Sequence, residues 1–290
     1  MKPSPFRYHA PESLDAAVGV LAGLDNAKVL AGGQSLMAML NLRYAMPDDL
    51  VDLNRIDGLA GVAEAGDRLR IGAMTRQRAL ERDPLLFARA PVFREALLQV
   101  GHIQTRNRGT IGGSLCHLDP AAELPALCML YDAGLTARGP GGERRIAMAD
   151  FPSFYMTPAL EPDEILTGIE IAPRAAGSGH AFVEFARRHG DFAIVAVGCL
   201  LEPAADGTIA RAAVVLGGVG AAPLRLTAAE AALAGQRPDA DALAAAAAGA
   251  EGIEAMDDDT YSSDYRRHLA RVLTGRALAR AAERMQGHAA

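Results

Sequence analysis

Apolar positions at Leu14, Ala17, Val18 and Leu21 return at the spacing of one helix face, and Ser13 stands where a cap belongs. The rhythm then changes. "AKVLA" reads as a short strand, and Leu36, Met39 and Leu40 resume the helical spacing behind Ser35, the expected second cap. "DLVDL", from Asp49, reads as another strand. These elements make a first α/β unit, placed at residues 1–56.

From Leu69 the pattern predicts a strand at "LRIGA", a short helix capped by Thr75, and an amphipathic helix at "PVFREALLQV" opening on Pro91. "GTIGGS" reads as a glycine-rich loop. A helix is expected over residues 121–131, then strands around residues 135–138 and at "EILTGIEI", with "RGPGGERR" as the loop between them. This second unit, residues 57–175, reads as α+β. Small, flexible residues at "PRAAGSG" mark a linker. Beyond it, residues 176–290 offer the strands "HAFVEFARR", "FAIVAVGCLLE" and "IARAAVVLGGV". Alanine-rich helices follow from Thr227, with a long terminal helix capped by Ser263. Strands first and helices afterwards predict a segregated α+β domain.

Composition narrows the functional classes. Half of the 290 residues are hydrophobic and 22% are charged, as in globular proteins. The net charge is −6 and the arginine pairs are scattered among acids, so no basic stripe points to nucleic acid. The longest apolar run, from Phe192 to Leu201, is half of the roughly 20 residues a membrane span needs. The amino-terminal stretch "MKPSPFRYHAPES" has no apolar h-region, so a cytoplasmic location is expected. Three cysteines, Cys116, Cys128 and Cys199, are too few for a disulfide framework or a four-cysteine metal or cluster site, so any iron-sulfur cluster must come from another chain.

Two glycine pairs carry the candidate chemistry. "AGGQS" (Ala31, Gly32, Gly33, Gln34 and Ser35) lies where a strand hands over to a helix, and its amides could hold a diphosphate without a charged side chain. An ordinary tight turn with a serine cap explains the same residues. "GTIGGS" again ends on two glycines and a hydroxyl, and two such donor sites could clasp one dinucleotide from both sides. Neither has the lysine of a P-loop or the spacing of a Rossmann turn. "LGGVGAAP", which begins at Leu216, reads as a strand-end turn because Pro223 follows and no helix opens there.

"LAGGQSLMAMLNLR" with "VDL", then "QTRNRGTIGGSLCHLDPAAELP", "EILTGIEI" and "GDFA" resemble the FAD-binding medium subunits of molybdenum hydroxylases, the family of carbon monoxide and xanthine dehydrogenases. The resemblance spans nearly the whole chain, in order. It implies an α+β chain with a two-lobed, vanillyl-alcohol-oxidase-type (PCMH-like) FAD-binding region, followed by an α+β domain with an antiparallel sheet and helices. It further implies one FAD loop at Ala31, Gly32, Gly33, Gln34 and Ser35 and the other at Thr110, Ile111, Gly112, Gly113 and Ser114. Glu123 would contact the FAD sugar, and Leu166 would pack near the cofactor. The implied partners are a large molybdenum-cofactor subunit and a small subunit with [2Fe-2S] clusters, assembled as a dimer of heterotrimers.

Departures from the family pattern are Gln34 for His, Thr105 for Ile, Cys116-His117-Leu118-Asp119 for Ala-His-Ala-Asp, and Phe192 for a flavin-side Tyr. Phe192 keeps the ring and loses the hydroxyl.

The remaining polar residues add no catalyst. Cys116, His117 and Asp119 lack metal-ligand spacing, and His117 instead lines the flavin pocket or bonds locally. Cys128 and Cys199 sit on apolar faces. Asp257, Asp258 and Asp259 read as a solvated loop, and Arg106 and Arg108 as facing the flavin, a partner or solvent. The expectation is thus an electron relay with no acid-base catalyst and no metal ligand. The alternatives are a self-sufficient FAD oxidoreductase or a non-enzymatic nucleotide-binding module.

Overall fold

The computed structural model describes residues 1–287. The first unit runs β1 (Arg7–His9), α1 (Leu14–Ala22), β2 (Ala27–Leu30), α2 (Leu36–Leu42) and β3 (Asp49–Asp52), and its sheet has the order β1-β3-β2 with all strands parallel. Ser13 caps α1, its Oγ accepting from the Ala16 amide at 3.2 Å. Arg7 donates from both ends of its fork to Asp49, at 2.8 and 2.6 Å, and pins the edge strand β1 to β3. Ala17, Val18 and Leu21 of α1 meet Val51, Leu53 and Ile56 in a small core.

The second unit is β4 (Val62–Ala65), β5 (Arg68–Gly72), α3 (Gln77–Arg82), α4 (Pro84–Arg89), α5 (Val92–Leu97), α6 (Ile103–Arg108), α7 (Ile111–His117), α8 (Glu123–Leu130), β6 (Gly134–Gly139), β7 (Gly142–Ala147), the short hairpin β8 (Pro152–Phe154) and β9 (Thr157–Pro158), and β10 (Ile165–Ile171). Its antiparallel sheet has the order β4-β5-β10-β6-β7. "EILTGIEI" is therefore the central strand, buried on both faces, which is why it reads as a continuous apolar run.

The third unit is β11 (Gly179–Ala186), β12 (Ala193–Pro203), β13 (Ile209–Gly217), β14 (Leu224–Arg225), α9 (Thr227–Leu233), α10 (Ala240–Ala248) and α11 (Ser263–Met285), with an antiparallel sheet in chain order. Alternation along β12 divides its side chains between two cores. Ala196 and Leu200 face the helices of the second unit, while Val195, Val197, Cys199 and Leu201 face α9 to α11. The sheet thus has a helical layer on each side.

Several expectations need correction. The run expected as a loop, "RGPGGERR", contains strand β7, whose exposed edge carries Glu143, Arg144 and Arg145 and so lacks an apolar signal. "GTIGGS" is a cap and a first helical turn: Thr110 is the N-cap of α7, and Gly112 and Gly113 lie inside the helix. Thr75 does not cap α3. Its hydroxyl takes the Gly61 amide at 2.8 Å, and the helix opens after Arg76. Ser35 precedes α2 in a helical conformation with no side-chain cap bond, and the long helix is capped by Ser262 rather than Ser263.

The run Asp257-Asp258-Asp259 is not merely solvated. Asp258 Oδ1 accepts the amides of Thr260 and Tyr261, and its other oxygen pairs with the buried Arg266, whose guanidinium also donates to the carbonyls of Ile194 and Gly218. This network ties the turn at "LGGVGAAP" to α11.

Gly179 marks where α11 crosses β11, because a Cβ there would run into the carbonyl oxygen of Ala281. Gly179→Ala should therefore lower stability by about 1–3 kcal/mol in a denaturant titration. Gly134→Ala, which has open space around it, should stay within about 0.5 kcal/mol of the parent.

Candidate flavin-binding cleft

The handover from β2 to α2 lies at the rim of a cleft of about 410 Å³ lined by Leu30, Ala31, Gly32, Gly33, Gln34, Met37, Asp52, Asn54 and Arg108. That volume is in the range of small-molecule sites. Gly33 sits at φ +72°, a left-handed conformation that a side chain would strain. The turn it permits leaves the amides of Gly32, Gly33, Gln34 and Ser35 without an acceptor among the described residues. Gln34 folds back, its Nε2 donating to the Gly32 carbonyl at 3.1 Å. The open amides form a donor surface suited to an anion.

The two glycine loops meet. A Cβ on Gly32 would collide with the carbonyl oxygen of Arg108 and lie 2.8 Å from the Gly109 Cα, while a Cβ on Gly113 would sit 3.5 Å from that of Ala31. Main chain therefore lies against main chain. Gly112 serves a similar packing need, since a Cβ there would stand 2.7 Å from the Ala73 carbonyl.

The second loop keeps fewer open amides than the first, so the two are not the symmetric pair of donor loops expected from the sequence. Four of its five N–H groups are engaged by the fold: Ile111 donates to the Thr75 carbonyl (3.1 Å), Gly112 to Ala73 (2.8 Å), Gly113 to Thr110 Oγ1 (3.0 Å) and Ser114 to the Thr110 carbonyl (3.1 Å), while the Thr110 N–H has no acceptor among the described residues. Thr110, Ile111 and Gly112 are buried behind the contact, and Gly113 and Ser114 are half-buried.

The other expected site residues do not line this cleft. Glu123 is buried at the start of α8, where burial, reinforced by the nearby Glu184 carboxylate, raises its pKa to about 8. Leu166 is buried on β10 in the core that also holds Ile111 and Leu115, and Phe192 is 68% exposed in front of β12. Arg106 faces neither cleft nor solvent, because it is buried in an ion pair with Glu81 at 2.9 Å and also donates to the carbonyls of Val100 and Gly101. Arg108, by contrast, is exposed and lines the cleft.

Burial raises the thiols of Cys116 and Cys128 to about 12 and that of Cys199 higher still, so none is a ready nucleophile. Burial holds His117 below the usual imidazole range. Among the described residues no group of His, Cys, Asp and Glu side chains is arranged to hold a metal ion, and no helix is long and apolar enough to cross a membrane.

Sequence reasoning missed Asp52, Asn54 and Arg76. Asp52 Oδ1 accepts the Asn54 amide at 2.9 Å and its Oδ2 accepts the Tyr8 hydroxyl at 2.5 Å. The available signal was their position at two strand ends that flank the glycine loops.

Comparison with known proteins matches residues 4–174 to the family described as "FAD binding domain in molybdopterin dehydrogenase" and residues 180–281 to "CO dehydrogenase flavoprotein C-terminal domain". The chain is 37% identical over 286 residues to the 6-hydroxypseudooxynicotine dehydrogenase complex subunit alpha of Paenarthrobacter nicotinovorans, covering 98% of this chain and 97% of the relative. It is 37% identical over 289 residues to the caffeine dehydrogenase subunit beta of Pseudomonas sp. strain CBB1, at 98% and 97% coverage. Among solved structures, the carbon monoxide dehydrogenase from Hydrogenophaga pseudoflava that lacks the Mo-pyranopterin moiety superposes with a TM-score of 0.95 at 38% identity, covering 98% of this chain and 99% of the other. Fold, glycine loops and full-length similarity agree: the chain belongs to the FAD-binding medium subunits of the molybdenum hydroxylase (carbon monoxide dehydrogenase and xanthine dehydrogenase) family.

Proposed function

We propose that this chain holds FAD with its diphosphate on the open amides of Gly32, Gly33, Gln34 and Ser35 and relays electrons from [2Fe-2S] clusters of a small subunit to an external acceptor. Those electrons originate in substrate hydroxylation at a molybdenum cofactor in a large subunit. The observation that carries the reading is the set of unengaged amides at the cleft, braced by the second loop. FAD, when bound, supplies exchange between one-electron carriers and a two-electron acceptor.

The protein's own part is to bind and orient. Gly32 to Ser35 supply main-chain donors, and Ala31 lines the cleft. Thr110, Ile111, Gly112 and Gly113 supply the backing surface, and Ser114 supplies a hydroxyl. Glu123, neutral at physiological pH, is an O–H donor suited to a sugar oxygen. Leu166 supports the second loop through their shared core, and Phe192 offers an exposed ring for shielding the flavin.

Asp52 is the carboxylate in the cleft, and Tyr8 and Asn54 occupy its oxygens. The full-length similarity to subunits of dehydrogenase complexes supports the relay over a self-sufficient oxidoreductase. A heterotrimer, paired as a dimer, in the cytoplasm completes the proposal, and the three free thiols suit a reducing compartment.

Isolation of the assembled complex with flavin and metal analysis tests it. FAD should follow this chain, with iron and molybdenum in the partners. Reduction of the flavin by substrate in the isolated chain would instead support a self-sufficient enzyme. A chain that stays colourless with FAD would support a nucleotide-binding module.

Two predictions follow from the cleft and its surroundings. Gly32→Ala should push the loops apart and weaken FAD binding about tenfold or more, measured by fluorescence titration, while Gly134→Ala leaves it unchanged. Glu123 titrates at about 8 in the fold against 4.5 when free, so the folded chain holds a proton that the unfolded chain has lost between those values. Stability should therefore fall as pH rises through that window, and Glu123→Gln should flatten the slope in urea titrations of the flavin-free chain.

A further inference from the structure

Arg76 lies on the turn between β5 and α3 and belongs to no motif singled out in the sequence. It is half-buried, and its backbone forms a bridge to Thr110 at the head of the second loop. Its guanidinium reaches both walls of the cleft. Nη1 donates to the carbonyl oxygen of Arg108, the same oxygen against which Gly32 packs, and Nη2 donates to Asn54 Oδ1. Asn54 passes the connection on through Nδ2, which donates to the Ala31 carbonyl at 2.9 Å.

Asp52 fixes the orientation of that amide, because its Oδ1 accepts both the backbone N–H and the side-chain N–H of Asn54. One continuous path of hydrogen bonds thus runs from Ala31 in the first loop, through Asn54 and Arg76, to Arg108 at the edge of the second.

A planar fork is the side chain suited to this task, since it can serve two acceptors in different directions at fixed geometry. The positive charge strengthens both bonds and persists at any working pH. Burial, and after it the Arg108 guanidinium, disfavours that charge, while Asp52 supports it.

We propose that Arg76 is a positioning residue of the flavin site: by tying the Ala31 carbonyl, through Asn54, to the Arg108 carbonyl, it fixes the spacing of the two loops and so sets FAD affinity without touching the cofactor. This rests on the FAD reading given above. The structure gives the reason it should matter. The amides of the first loop have no internal acceptor to hold them in place, so their aim depends on what braces the loop from behind.

Flavin-free full-length chain titrated with FAD, read by fluorescence, provides the test. Arg76→Ala and Asn54→Ala should each weaken binding about ten- to a hundredfold, and the double variant should bind no worse than the weaker single variant, because both break one path. Arg76→Lys keeps the charge and loses the fork, so it should stay near Arg76→Ala. Hydrogen exchange should show faster amides at Met37 and Met39, whose N–H groups donate to the Gly33 and Ser35 carbonyls, in Arg76→Ala, with β12 and β13 unchanged.

Unaltered affinity in Arg76→Ala, additive losses in the double variant, or full recovery with lysine would each overturn the clamp. Should Arg76→Ala fail to fold, Arg76→Lys and Asn54→Ser decide on the same criteria. If the unmodified chain takes up no FAD, the FAD reading itself fails and the clamp with it. If it binds FAD while the variants match it, only the clamp fails.

Discussion

A contact between two stretches of main chain, Gly32 against Arg108 and Gly109, is what the cleft depends on. No side chain can enter that contact, so glycine is required for a steric reason before any question of ligand arises. The contact also joins the lobes. The first loop belongs to the parallel sheet and the second to the helices that pack on the antiparallel one, and the cleft exists because these layers touch at this point. Gly112 against Ala73 seats α7 behind it in the same way.

From that contact follows a division of labour that symmetric motifs conceal. Both loops read as strings of glycine and hydroxyl residues, yet the first keeps the amides of Gly32 to Ser35 open and the second only that of Thr110. The second uses those of Ile111 and Gly112 to bind the turn after β5, at Thr75 and Ala73, and those of Gly113 and Ser114 to close the first turn of α7. A loop whose N–H groups are already engaged is rigid but has fewer donors to offer, and a loop with free ones can bind but needs support. The pairing of a braced donor loop with a rigid bracing loop resolves both needs.

The sequence was legible wherever burial imposes a period. The helix of Leu14, Ala17, Val18 and Leu21, the central strand "EILTGIEI" and the long strands of the third unit all carry apolar faces that fix their elements. Strands β4 and β7 were not legible, because they are edges whose exposed positions carry Glu64, Glu143, Arg144 and Arg145. Glycines at Gly112 and Gly113 argue locally for a loop, and tertiary packing overrides that preference to make them helical. Caps placed at Thr75 and Ser263 missed by one residue, the first because its hydroxyl is committed to Gly61 and Gly72.

The site shows the same limit more sharply. Ala31, Gly32, Gly33 and Gln34 could be found from their pattern because a donor loop needs glycine at fixed places. Asp52, Asn54 and Arg76 could not, since polar residues at strand ends are common on any surface and only their meeting in space gives them meaning. Specificity for the oxidised substrate is still further from this chain. Relatives of nearly equal identity are subunits of a caffeine dehydrogenase and of a 6-hydroxypseudooxynicotine dehydrogenase complex, so similarity here follows the shared flavin fold and does not separate one substrate from another. What this chain's residues do set is the shape of the cleft and the donors that face it. Gln34 on the cleft wall and Phe192 beyond it are two of the departures expected from the family resemblance, and each concerns one side chain and leaves the main-chain donors of the first loop in place.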